Sequence, residues 1–280
     1  MQEHTLSPIA RFERILVTVD GSKYSEGAIR AAEAMARKCG AELMVMSIGL
    51  VDPQYSTLVP NLEEEAEKLA RRNVDAAIAA MNGLACTPVV RLGADPADTI
   101  VEAAEELRAD VIVMGRHGRR GLARWKLGHA TAKVVGHAPC PVLVVPTAAG
   151  MWEKRVLVAT DGSRYGELAA VTAGKLAATC GLPLTAVSAV LSSHSAERRA
   201  QAQAAIDEVV TGMKEAGVSV NGHLADGRPD KAIIDSAARD GADLIVMGSH
   251  GRTGLDKVLM GSVSEKVLNQ AECAVLVVKT

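Results

Sequence analysis

The strongest constraint on the fold is that the chain contains itself twice. Arg14 to Gly40 reads RILVTVDGSKYSEGAIRAAEAMARKCG and Arg155 to Gly181 reads RVLVATDGSRYGELAAVTAGKLAATCG, with close to half of the positions identical. A second block, ADVIVMGRHGRRGL from Ala109, returns as ADLIVMGSHGRTGL from Ala242. The period is far longer than the roughly 20–50 residues of a solenoid repeat, so each copy is a whole domain. The first copy is slightly longer between its two blocks, and the extra residues fall in Val51-Asp52-Pro53-Gln54-Tyr55-Ser56-Thr57-Leu58-Val59-Pro60, a connection marked by its prolines. The small residues Thr147-Ala148-Ala149-Gly150 suit a linker. The expected domains are therefore 1–147 and 152–280.

Within each copy, strand-like and helix-like patterns alternate. In the first, Ile15–Val19 is a β-rich run, after which Ala28, Ala32, Met35 and Cys39 recur at helical spacing and Gly40 can close the helix. Leu43–Ile48 reads as a strand. A long helix follows, with Leu62, Ala66, Leu69, Asn73, Ala76 and Ala80 expected on one face. Pro88–Leu92 is a third strand, and Pro96 opens a helix that buries Ile100, Ala104 and Leu107. Val111–Met114 is an uninterrupted apolar run, as expected of a strand covered on both sides. A short helix near Lys133-Val134-Val135 and a strand Val142–Val145 complete the unit, and the second copy repeats the order from Val156 to Val278. The pattern βαβαβαβαβ predicts an α/β fold, a doubly wound parallel sheet with helices on both faces.

Composition narrows the partners. The 280 residues hold 31 basic and 33 acidic side chains, a net charge of −2, so nothing in the balance asks for nucleic acid or an anionic membrane. Aromatics are 2% of the chain, too few for a base-stacking platform. No run of about 18 apolar residues suggests a membrane span, and the start lacks a basic region followed by an apolar one, which leads to the expectation of a cytoplasmic protein. Five cysteines without C-x-x-C spacing give neither a disulfide framework nor a zinc site, and Cys39, Cys86, Cys140, Cys180 and Cys273 read as small buried apolar residues.

In an open parallel sheet, ligands bind beyond the carboxyl ends of the strands, and both repeated blocks lie there. In the second copy they are Thr160-Asp161-Gly162-Ser163 and Met247-Gly248-Ser249-His250-Gly251, with Gly261-Ser262-Val263-Ser264 beyond, giving the spacing G-x-x-G-x9-G-[ST]. Gly248 and Gly251 would let the backbone turn and approach a ligand. Gly261 to Ser264 opens a helix whose unpaired N–H groups favour phosphate, and Ser262 and Ser264 would add hydroxyl donors. Asp161 could accept from a ribose hydroxyl or meet a magnesium ion carried by phosphates.

A strand ending in Asp161-Gly162-Ser163, the segment Gly227-Arg228-Pro229, and IVMGSHG followed by Gly261-Ser262 resemble the universal stress protein family in its tandem form, over nearly the whole chain. The resemblance implies two Rossmann-like domains, each a five-stranded sheet of order 3-2-1-4-5, and ATP binding where the glycine pattern is complete, with AMP or ADP as related ligands and Mg2+ accompanying the nucleotide. It would place Thr160 and Asp161 at ribose and magnesium, Leu184 at the adenine, and Gly248, Gly251, Arg252, Gly261, Ser262 and Ser264 around the phosphates. In the first copy Gly115, Gly118 and Gly128 keep the spacing, but His129 replaces Ser or Thr, so that site is expected to be degenerate although Asp20, Arg119 and Thr131 remain favourable.

These features predict an ATP-binding stress-response regulator with its nucleotide mainly in the second domain and no assigned catalytic residue. Two alternatives stay open: a slow ATPase or a protein autophosphorylating on Ser262 or Ser264, and a nucleotide-free scaffold. There is no Walker A motif, kinase H-R-D or G-x-S-x-G elbow. His117 and His250 are expected to orient loops; the cluster Arg116, Arg119, Arg120 and the pairs Arg71-Arg72 and Arg198-Arg199 read as solvated surface. The apolar last strands, Val142–Val145 and Val275–Val278, are the expected interface of an intrachain pseudo-dimer, and pairing of chains into a homodimer is a further expectation.

Overall fold

The computed structural model describes residues 12–52, 54, 59–116, 128–252 and 260–279. The first copy runs β1 (Arg14–Thr18), a single 3-10 turn, α1 (Glu26–Cys39), β2 (Glu42–Leu50), α2 (Leu62–Ala79), β3 (Cys86–Gly93), α3 (Pro96–Glu106), β4 (Val111–Gly115), α4 (His129–His137) and β5 (Val142–Val145). The second runs β6 (Val156–Ala159), α5 (Arg164–Cys180), β7 (Leu184–Val190), α6 (Ala196–Glu215), β8 (Val220–Asp226), α7 (Pro229–Asp240), β9 (Leu244–Gly248), α8 (Ser262–Gln270) and β10 (Ala274–Val278). Helix ends follow local chemistry. Asp95, Ser163 and Ser195 cap α3, α5 and α6 by accepting from first-turn N–H groups. Gly40, Gly181 and Gly241 end α1, α5 and α7 in the left-handed conformation, at φ 65°, 65° and 68°.

The described strands form one ten-stranded sheet in the order β3-β2-β1-β4-β5-β10-β9-β6-β7-β8. Each half has the doubly wound order 3-2-1-4-5 and is parallel throughout. The halves join where β5 and β10 run antiparallel, with Val144 opposite Val275 and Val142 opposite Val277. Neither apolar last strand is left as an open edge. The buried side chains divide into two layers. On one face of the sheet α1, α2, α5 and α6 pack around Val17, Val45, Val158 and Ala186; on the other α3, α4, α7 and α8 pack around Leu16, Met46, Leu157 and Val187. The alternation along each strand assigns each side chain to a layer.

Three expectations change. On α2 the buried residues are Ala70, Val74 and Ala77, while Leu69 is 53% exposed. Val74, Ile78 and Met81 form the heavier apolar stripe, and of the expected face Leu62, Ala66 and Asn73 are half-buried while Leu69, Ala76 and Ala80 are exposed. Of the cysteines only Cys140 is fully buried, the others being half-buried. Arg116, expected in a solvated turn, crosses the domain seam and donates to the carbonyls of Leu268 (3.2 Å), Asn269 (3.3 Å) and Ala271 at the end of α8. Burial lowers its pKa from the usual arginine value, and the carbonyls at the negative helix end compensate the cation. In the other direction Lys279 Nζ donates to Gly136 O in the last turn of α4, at 2.5 Å. The linker lies on α1: Gly27 has no room for a Cβ, which would stand 2.2 Å from Pro146 O, and Arg30 donates to Thr147 O and to Ala149 O, the latter at 3.0 Å.

Candidate functional site

A cavity of about 500 Å³ opens beyond the carboxyl ends of β6, β7 and β9, at the point where the connections of β6 and β9 diverge to opposite faces of the sheet. Thr160 and Asp161 follow β6 directly. Thr160 N donates to Val187 O (2.9 Å), and Thr160 Oγ1 accepts from Gly162 N (3.2 Å). The two Asp161 oxygens serve different segments: Oδ1 accepts from Ser163 N (3.0 Å), closing the turn into α5, and Oδ2 accepts from Arg252 N (2.9 Å), holding the loop after β9. One carboxylate thus fastens the two strand-end loops that border the cavity.

The helix opposite starts without a side-chain cap. α8 begins after Gly261, which makes no side-chain capping bond, so its first-turn N–H groups are not engaged by a cap as those of α5 and α6 are. Gly261 N donates to Ser249 O (2.9 Å), docking the helix start on the end of β9. Ser264 differs from expectation: it is 3% exposed and its hydroxyl donates to Gly248 O (2.9 Å). A hydroxyl has one proton, so Ser264 anchors α8 and has none left to donate to a phosphate; Ser262, first in the helix, is exposed. Gly248 also has a different reason. Its absent Cβ would stand 2.6 Å from Tyr165 Cβ and 2.8 Å from Tyr165 O, so the glycine admits the start of α5. Gly251 is the glycine that permits close approach within the site, since a Cβ there would lie 2.8 Å from Asp161 Oδ2.

Thr160, Asp161, Met247, Gly248, His250, Gly251, Arg252, Gly261, Ser262, Val263 and Ser264 all line this cavity. Leu184 does not. It pairs with Val156 at the amino end of β6, whereas the cavity lies at the level of Ala159, which pairs with Val187. Leu184 also faces the α5–α6 layer. Val187 and Ala189 hold the place assigned to it; starting at Ala159 and alternating across the strands would have found them. Leu191, His194 and Arg198 complete the rim. His194 Nδ1 accepts from Leu191 N (3.2 Å). Arg198, read from the sequence as surface, lines the cavity, and its guanidinium has no hydrogen-bond or ion-pair partner among the described residues. Arg199 instead pairs with Asp226 at 2.8 Å. No local pattern separates these two arginines; the fold of α6 over the end of β7 does. Arg252 Nη1 donates to Gln201 on α6 (3.0 Å), and the His250 ring stands 5.3 Å from that of Tyr165.

The first repeat has a smaller cavity, about 330 Å³, at the matching place. Asp20, Gly115, Gly128, His129 and Thr131 line it, while His117, Gly118, Arg119 and Arg120 lie outside the described residues. Asp20 Oδ1 accepts from Ser22 N (3.0 Å), Ser22 Oγ (2.7 Å) and Ser25 Oγ (2.8 Å). Gly128 likewise caps α4 without a side-chain bond. The Lys133 ammonium bridges Asp95 (2.9 Å) and Asp98 (2.7 Å), and with the first-turn N–H groups it holds the Asp95 carboxyl below its usual pKa, locking α3 against α4. Among the described residues no group of three His, Cys, Asp or Glu could bind a metal unaided. Asp161 fits a magnesium ion that arrives with phosphates, having lone pairs beyond the two it shares with N–H groups.

Fold and site together define a tandem of two Rossmann-like α/β domains, each with a crevice at its switch point. The chain belongs to the Universal stress protein family, whose model matches residues 11–146 and 153–279. It is 36% identical over 136 residues to a universal stress protein of Thermus aquaticus, covering 48% of this chain and 98% of the relative. It is 34% identical over 198 residues to a universal stress protein of Mycobacterium tuberculosis, covering 66% of each. In fold it is similar to the crystal structure of a universal stress protein from Archaeoglobus fulgidus, with TM-score 0.71 and 19% identity over 96% of this chain and 98% of that one.

Proposed function

We propose that this chain is a regulatory adenine-nucleotide-binding protein of the stress-response family, with ATP, or ADP or AMP, held in the second domain. The observation that carries this reading is the uncapped start of α8 facing Asp161 across a 500 Å³ cavity. Helix N–H groups and the positive end of the dipole receive phosphates, while Val187, Ala189 and Ile233 offer an apolar wall for a base. When bound, magnesium would neutralise phosphate charge; Asp161 is the carboxylate placed to orient it, and Arg198 adds a cation at the rim. Nucleotide would bridge the loops after β6 and β9 and the start of α8, so occupancy would order the surface around the cavity without turnover being required. Ser264, buried and bonded to Gly248, is a poor phosphoryl acceptor, so the autophosphorylation alternative narrows to Ser262.

Ser262→Asp tests the reading without harming the helix. A carboxylate in the first turn of α8 favours the helix dipole but repels phosphate. The expected result is an unchanged or slightly raised Tm without ligand, and loss of the upward Tm shift by which Mg-ATP reports its stabilisation of the unaltered chain, about 2.7 kcal/mol of stabilising free energy at a hundredfold excess over Kd. An equal Mg-ATP shift in both proteins would contradict phosphate binding at α8.

A further inference from the structure

Among the described residues the two repeats differ in the walls of their cavities, a contrast whose meaning rests on the second cavity being a nucleotide site. The cavities are built on matched strand positions. In the first copy Thr18 of β1 pairs with Met46 of β2 and Met114 of β4; in the second Ala159 of β6 pairs with Val187 of β7 and Met247 of β9. Met46 and Val187 therefore hold one and the same place. Ile48 and Ala189, two residues further on, hold the next place on that face. All four pack toward the layer of α3, α4, α7 and α8, where each cavity has its apolar wall.

The two walls are not alike. A thioether chain stands at Met46 where Val187 has an isopropyl group, and a sec-butyl group at Ile48 where Ala189 has a methyl. Met46 is fully buried, and close-packed interiors leave such a side chain little freedom to swing aside. The first cavity holds about 330 Å³ against about 500 Å³ in the second. The anion-facing end is kept by comparison: α4 still starts on an uncapped glycine and Asp20 still stands at the rim. Among the described residues at that end, Val19 stands for Thr160, Thr131 for Ser264 and His129 for Ser262, the last on an exposed first helical residue that can turn into solvent. Among the described residues, the first repeat thus keeps an uncapped helix start and a rim carboxylate while its wall leaves less room for a flat base.

We propose that Met46 and Ile48 close the base pocket of the first repeat and set the stoichiometry at one adenine nucleotide per chain, with His129 playing no deciding part. The test is equilibrium dialysis of nucleotide-stripped full-length chain against Mg-ATP, with thermal melting to check each variant's fold. The unaltered protein and His129→Ser should each bind one equivalent, and Met46→Val with Ile48→Ala should bind two. The reverse pair, Val187→Met with Ala189→Ile, should bind none while remaining folded, and it decides the matter even if the enlarged first pocket is unstable. Two equivalents in the unaltered chain or in His129→Ser, or one retained in the reverse pair, would overturn the proposal and leave nucleotide binding standing. One equivalent in a folded Met46→Val, Ile48→Ala protein would do the same. No binding by the unaltered chain would overturn the nucleotide reading itself, and this proposal with it.

Discussion

Residue by residue, the site depends on groups that hold one another before they could hold a ligand. Gly251 is the clearest case: any Cβ would press on Asp161 Oδ2 and displace the carboxylate from Arg252 N–H. Losing that charge-assisted hydrogen bond costs about 1.5–3 kcal/mol, so Gly251→Ala should weaken Mg-ATP binding about tenfold or more in a calorimetric titration; unchanged affinity would show that the loop does not position Asp161. The pattern of glycines is readable from the sequence, but their separate duties are not. Gly248 serves the packing of Tyr165, and Ser264 serves the Gly248 carbonyl, because both roles depend on contacts made across the fold. The cysteines give a second test. Burial raises Cys140 to about 12 and Cys273 to about 11, and the thiolate is the reactive form. Cys140, the fully buried one, should not be modified by a disulfide reagent at pH 8 until the chain unfolds, and its rapid labelling in the native protein would contradict its packing.

Helices and strands are legible wherever a periodic pattern has a chemical stop. Gly40, Pro96 and the apolar run Val111–Met114 announce α1, α3 and β4 because each local signal agrees with its tertiary place. The face of α2 misleads, since Leu62 and the exposed Leu69 outweigh in the sequence a stripe carried by Val74 and alanines. Leu184 misleads in another way, because alignment to the start of β7 ignores both strand direction and side-chain alternation. At the opposite edge, β8 and α7 meet through His223, which lies near Ser236 (3.3 Å), Arg239 and Asp240. Burial lowers the His223 pKa, Arg239 lowers it further, and Asp240 partly opposes them. The folded value is thus below the unfolded one, about 6.5. The unfolded chain takes up the proton first, so stability present above that value is lost as pH falls through the folded pKa. His223→Gln should flatten the decline of Tm between about pH 7 and pH 5, and an unchanged pH profile would count against this contact.

For the whole molecule, the two repeats act as one body because β5 and β10 complete a single sheet and cations cross the seam. Arg116 holds the carboxyl end of α8, whose other end starts the second cavity; Lys279 does the same for α4 and the first. Removing a hydrogen-bonded charge costs about 1.5–3 kcal/mol, so Arg116→Ala should lower the unfolding free energy by that order in a urea titration, and no change would show that Arg116 does not stabilise the seam. The repeat and the apolar final strands point to this joint, whereas Arg116 does not, its sequence neighbours being basic and turn-like. The claim that joins these scales is that the second repeat holds an adenine nucleotide on α8. The most direct measurement is to denature freshly purified protein and to identify and quantify the released small molecules by chromatography and mass spectrometry. About one equivalent of adenine nucleotide per chain, lost in Ser262→Asp, is the predicted result. No released nucleotide, together with no thermal shift on adding Mg-ATP, would contradict it.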